Sequence, residues 1–215
     1  MVRPYVILNA AMTLDGKIAT VAGDSRISCG ADLDRTHKLR ASVGAVMIGV
    51  GTVLADDPSL TVRRAKGKNP IRIVVDSEAK TPLGARVLRG PTKTIVATTT
   101  RAPKQKILRL RSRGAQVITC GSKKVDLKEL LRKLRLRGVR RLLLEGGSML
   151  NWGMLERGLV DEVRVAISPR IVGGAAARTL VGGAGFRRVS RGVKLKLQCM
   201  RRVGTDLLLT YKVER

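Results

Sequence analysis

Between residues 43 and 158 the chain alternates short β-rich apolar runs with stretches of helical period. That alternation restricts the available folds more than any other feature. Strands that alternate with helices pack as a mainly parallel sheet with helices on its faces. The strand-like runs are VGAVMIGVG (43–51), IRIVVDS (71–77), KTIVATTT (93–100), AQVITC (115–120) and RRLLLE (140–145). The intervening segments 102–114, 126–138 and 148–158 each stop at a glycine, Gly114, Gly138 and Gly158, as helices commonly do. Asp126 with Glu129 three residues on is a capping-box-like start.

Outside this block, YVILNA (5–10) reads as a strand and 30–42 as a helix with aspartates in its first half, the favourable end of the helix dipole. DEVRVAISPRIV (161–172) alternates polar and apolar, as a half-exposed strand does. VKLKLQCMRRV (193–203) and DLLLTYKVE (206–214) flank Gly204-Thr205 and read as an antiparallel hairpin. The expected fold is therefore α/β, a mainly parallel sheet flanked by helices with a C-terminal antiparallel hairpin. No repeat or polar linker divides the 215 residues, so a single domain over 1–215 is expected.

The formal net charge of +27 makes nucleic acid an obvious suspect. The densest basic runs, 106–114 and 128–141, carry leucine at helical spacing and read as solvated helix faces. Two tyrosines, one tryptophan and one phenylalanine leave few rings on which bases could stack. A basic surface suited to an anionic substrate ranks ahead of specific nucleic-acid binding. The three cysteines form no CxxC pair, and reduced thiols in a cytoplasmic protein are the simple reading. No apolar run reaches the ~18 residues a membrane span requires.

Three turns could carry chemistry, because ligands of open parallel sheets bind beyond the carboxyl ends of the strands. The first is Glu145-Gly146-Gly147-Ser148, which suits a tight strand–helix turn and a phosphate cradle equally well. The second is GVGTVLADDPSLTVR (49–63), with Thr52, Asp56, Leu60 and Arg63. Its paired aspartates serve as turn caps or hold a sugar beside a phosphate. The third is MTLDGKIA (12–19), where Lys17 follows the Asp15-Gly16 turn and either faces an anion or lies on plain surface. His37 falls mid-helix and reads as a surface or rim residue outside the site.

MTLDGKIA, DSRIS, RASVGAVMIGVGTVLADDPSLTVR, IRIVVDS, LLLEGGSMLNWGMLERGLVDEV and ISPRIVGG, taken in order, closely resemble the riboflavin-biosynthesis reductase family. The likeness extends to its stand-alone archaeal members and to the reductase domain of bacterial bifunctional deaminase–reductases. The resemblance implies a dihydrofolate-reductase-like fold, an NADPH cofactor (NADH being the other option), a homodimer and a small phosphorylated pyrimidine as substrate. It implies reduction of that substrate's ribosyl group to a ribityl chain. The HxE…PCxxC signature of a zinc deaminase is missing from the chain, which fits a reductase acting on the still-aminated pyrimidine.

Carried over by position, the resemblance places Thr52, Asp56, Ser77, Gly146, Gly147, Ser148 and Met149 at the cofactor. Ser148 stands where a third glycine is common. Asn9, Ser25, Arg40, Leu60, Arg63 and Glu145 fall on the substrate side, and Asp15 and Lys17 line the same mouth. Arg40 and Arg63 suit a phosphate dianion. Arg101 is a candidate for the cofactor's 2′-phosphate. Lys17, Glu145 and a water held by Asp15 are the candidate proton donors. Two other readings stand beside this one: another NADPH-dependent pteridine or folate-type reductase of the same fold, and a basic nucleic-acid-binding protein.

Overall fold

A computed structural model describes residues 2–214. They form nine strands and five α-helices. The chain folds into two compact units, one built from Met1–Tyr5 and Lys38–Leu143, the other from Val6–His37 and Leu144–Arg215.

The first unit contains β2 (Ala45–Gly49), β3 (Ile71–Val75), β4 (Thr94–Thr98), β5 (Gln116–Thr119) and most of β6 (Arg141–Leu144), hydrogen-bonded in the order β5-β4-β3-β2-β6. Strands β2 to β5 are parallel, and β2 matches β3 from Ala45↔Ile71 to Gly49↔Val75. Every residue of β4 is buried, so its polar–apolar signal is weak. Helix α3 (Lys104–Ser112) precedes β5, and α4 (Leu127–Leu136) follows it.

Helix α4 shows why its sequence is helical. The Asp126 carboxylate accepts from the backbone N–H groups of Lys128 and Glu129, at 2.9 and 3.0 Å. Leu127, Leu130, Leu131 and Leu134 fall on one stripe and are all buried. Burying each contributes about 1.5–3 kcal/mol, which outweighs the cap and carries the helix. Glu129 pairs with Lys133 one turn on, at 2.7 Å.

The second unit contains β1 (Tyr5–Thr13) beyond its first residue, β7 (Glu162–Ser168), β8 (Leu195–Val203) and β9 (Asp206–Val213), ordered β1-β7-β9-β8. Strands β1 and β7 are parallel, whereas β9 runs antiparallel to both β7 and β8. The expected hairpin thus supplies the outer strands, and β8 is exposed along nearly its whole length. Helix α5 (Ser148–Leu155) follows β6. Helix α1 (Gly30–Ala41) follows the β1 turn.

Two readings of the sequence are corrected. The apolar run 43–51 does not continue as strand: pairing with β3 ends at Gly49, and Val50–Asp56 becomes α2. Beyond Gly49 the backbone has lost its ladder partner and satisfies itself helically. Asp57 then ends the helix in the left-handed region, φ 39°, with its N–H on the Val53 carbonyl. His37 is buried on α1 and is no surface residue.

Candidate active site

In the first unit the turns after β2, β3, β4 and β5 all emerge at the carboxyl edge of parallel strands. Thr52 lies half-buried on the first turn of α2, and Asp56 is exposed at its end. Ser77 follows β3. Its hydroxyl accepts from the Val125 N–H at 3.2 Å, and its carbonyl accepts from Thr99 Oγ1 at 2.7 Å. The Ser77 turn is thereby tied to the end of β4 and to the segment that leads into α4. Beside it lies an open cleft of about 280 Å³ lined by Glu78, Arg101, Pro103, Lys106 and Lys123. Glu78 is committed to Lys80 at 2.7 Å, so the other three charged groups give the cleft a net positive lining.

The 60–63 segment forms a second group. Arg40 Nη1 donates to the Thr61 carbonyl at 3.3 Å, and Arg63 Nη1 donates to the Thr61 hydroxyl at 3.1 Å. Two guanidinium groups converge on one residue, a geometry suited to an oxyanion. Leu60, buried, holds φ at +52°. For a leucine that conformation is rare, and such residues concentrate at ligand sites.

In the second unit β1 ends in the Asp15–Lys17 turn. Asp15 accepts from Thr13 Oγ1 at 2.6 Å, from the Gly173 N–H at 2.8 Å and from the Val172 N–H at 3.3 Å. These bonds, the Thr13 hydroxyl first, hold its carboxyl below the usual aspartate range against a smaller opposing effect of desolvation. Lys17 is half-buried. Its N–H donates to Thr13 Oγ1 at 3.0 Å.

The strap from Gly173 to Phe186 joins this turn to α5. At one end Ile18 N–H bonds the Arg178 carbonyl, Leu180 N–H bonds the Gly16 carbonyl, and Lys17 bridges Thr179. At the other, the Gly182 N–H donates to the Ser148 carbonyl at 3.1 Å, and Asn151 Nδ2 donates to the Leu180 carbonyl at 2.8 Å. Trp152 packs edge-on to Phe186, with centroids 4.9 Å apart. Gly183 admits no side chain, since a Cβ would stand 2.1 Å from Trp152 Cδ1.

Glu145, half-buried, follows β6. Gly146 takes φ +91° and lies against the Asn151 amide, and the Gly146–Gly147 peptide bond is cis. Gly147 is the N-cap of α5, and no side chain caps that helix. Its first-turn N–H groups therefore suit an anion. Met149 is 65% exposed on the same turn.

Asn9 is buried on β1 and accepts from Arg35 Nη2 at 2.8 Å. Ser25 lies exposed in the loop between β1 and α1, where its carbonyl accepts from Ile27 N–H. The structure thus assembles Arg40, Leu60 and Arg63 around Thr61, and Asp15, Lys17, Ser148 and Met149 around the strap. Sequence reasoning missed Arg35, Asn151, Gly182 and Gly183. Nothing local marks them, because each matters through a partner at least 26 residues away.

A mainly parallel sheet with ligand-type turns at its strand ends, closed by an antiparallel hairpin, defines a dihydrofolate-reductase-like oxidoreductase. The chain belongs to the RibD C-terminal domain family, which it matches over residues 4–209. It is 52% identical over 215 residues to the 2,5-diamino-6-ribosylamino-4(3H)-pyrimidinone 5′-phosphate reductase of Methanothermobacter thermautotrophicus, with 99% of both chains covered. It is 43% identical to the riboflavin biosynthesis protein RibD of Actinobacillus pleuropneumoniae, spanning 98% of this chain and 57% of that one. Among solved structures, Acinetobacter baumannii RibD superposes with a TM-score of 0.86 at 29% identity, over 99% of this chain and 58% of that chain.

Proposed function

We propose that this protein reduces 2,5-diamino-6-ribosylamino-4(3H)-pyrimidinone 5′-phosphate to its ribitylamino product with NADPH. The observation that carries the reading is the end-to-end match, at 52% identity, to an archaeal reductase named for that substrate. The chain's residues fit a phosphorylated dinucleotide: α5 opens at uncapped N–H groups behind Gly146-Gly147, and Arg101, Lys106 and Lys123 line the cleft beside Ser77. Those cations favour NADPH over NADH, because the 2′-phosphate needs positive charge.

Bound here, NADPH would supply the hydride that reduces the ribosyl C1′ of the substrate. Gly146, Gly147, Ser148 and Met149 would hold its pyrophosphate, and Thr52, Asp56 and Ser77 are the other residues we assign to the cofactor. Arg40 and Arg63, converging at Thr61, grip the substrate phosphate, with Leu60 and Ser25 beside it. Lys17 and Glu145 are the polar participants at the reacting centre, and one of them donates the single proton that completes the reduction. Asp15 has its acceptor capacity committed to Thr13 and the strap, and its role is to hold Lys17 in place. Orientation of this kind can supply several kcal/mol of the barrier reduction, about 7–11 at best.

The protein acts as one domain, as a homodimer in the cytoplasm. Among the described residues no helix is long and apolar enough to cross a membrane. The functional test is thermal protection and turnover. At a hundred times its Kd, NADPH stabilises the native state by about 2.7 kcal/mol, and for a chain of this size that raises Tm by about 5–11 °C. NADH at the same concentration gives a smaller shift, and Arg101→Ala narrows the gap between them. Equal shifts for the two nucleotides overturn the NADPH assignment. Absence of NADPH oxidation with the pyrimidine substrate overturns the reaction.

A further inference from the structure

Asn9 sits at the end of a buried polar chain whose other members the reaction does not use. Arg35 Nη2 reaches Asn9 Oδ1 at 2.8 Å, and Arg35 Nε reaches Asp32 Oδ1 at 2.7 Å. Ser28 Oγ donates to Asp32 Oδ2 at 2.8 Å. Asp32 is 1% exposed and Asn9 is 6% exposed.

A guanidinium group only donates, so the atom of Asn9 that faces Arg35 must be the oxygen. The amide nitrogen is therefore forced to the other side. Among the described residues Nδ2 meets no acceptor, yet it is not one of the sealed polar atoms, a group that does include Arg35 Nη1. Nδ2 is thus a donor with residual access and no partner among the described residues.

Stability does not explain the arrangement. A buried ion pair is commonly no better than apolar side chains of similar volume, and here one guanidinium nitrogen is left without a partner. What the pair does accomplish is orientation. It also cancels its own charge, so the donor that Asn9 presents is electrically neutral. Phosphate is matched by the two guanidinium groups at Thr61. A neutral amide N–H suits a neutral acceptor, such as a pyrimidinone carbonyl or a sugar hydroxyl.

We infer that Asn9 donates Nδ2–H to a neutral oxygen of the substrate, and that Arg35, locked by Asp32, is the positioning residue that keeps the amide turned that way. This rests on the reading of Asn9 as a substrate-side residue. Asn9→Asp tests it, because the Arg35 bond survives while the outward donor becomes an acceptor. With NADPH saturating and the pyrimidine phosphate varied, KM rises tenfold or more while Tm holds within a few degrees. Arg35→Met, made together with Asp32→Leu so that no charge is left buried alone, frees the amide and also raises KM. Combined with Asn9→Leu, which places no charge there, that pair raises KM no further than Asn9→Leu alone, since both act through one hydrogen bond. Arg35→Lys restores part of the loss, which a purely structural role does not require.

If Asn9→Asp leaves KM within twofold of the parent, or if the effects multiply, the inference is overturned. A parent chain that does not turn over this substrate overturns the functional reading on which the inference rests, an outcome visible before any variant is made.

Discussion

Asp15 shows how far a single residue can be read before its neighbours are known. Asp15-Gly16 announced a turn, and Gly16 does take φ +78°. The distant strap N–H groups that occupy its carboxylate left no trace nearby. Because those bonds, led by the one from Thr13, depress the folded-state pKa, the unfolded chain binds the proton more readily. The stabilisation is complete above about pH 4, the ordinary aspartate value, and is lost as pH falls through the lower folded-state value. Asp15→Asn removes this acid-side slope, and comparing Tm between pH 2.5 and pH 6 in both proteins shows it. Turnover falls as well, through displacement of Lys17. Unchanged turnover would separate the turn from the chemistry.

At the scale of elements, most strands and helices were legible because burial and period agree. In α4 both the Asp126 cap and the leucine stripe fall where the pattern put them. The miss at α2 has a physical cause: Val50 continues the β-like apolar run, but the ladder with β3 had ended at Gly49. Half of the candidate site was legible too, as glycines and charged residues at strand ends. The strap was not, since its residues are mostly exposed and irregular. Its closeness to α5 yields a prediction. Gly183→Ala places a methyl group into Trp152 at a backbone conformation, φ +82°, that alanine disfavours. The expected cost is about 1–3 kcal/mol, measured by denaturant unfolding. A raised KM for NADPH accompanies it, because the strap holds the Ser148 carbonyl.

For the whole molecule, charge and edge matter more than any single contact. Strand β8 exposes Leu195, Leu197 and Met200 along a free edge. An unpaired edge of this length is a template for another chain, and its lysines and arginines limit indiscriminate pairing. For the proposed homodimer, this hairpin is the contact we propose. Leu197→Lys shifts the protein toward monomer in sedimentation equilibrium, more strongly at low salt, where cationic repulsion is least screened. An unaltered mass would locate the contact elsewhere. The two units also differ in when they can exist. The first is complete once residue 143 has been made, whereas the second needs residues 6–37 to find 144–215. At about 5–20 residues per second, β1, which carries Asn9 and ends at Thr13, waits roughly 8–31 s on the ribosome for its parallel partner β7, which ends at Ser168. A chaperone or a stalled ribosome acting before residue 168 is made would therefore meet β1 without its parallel partner β7.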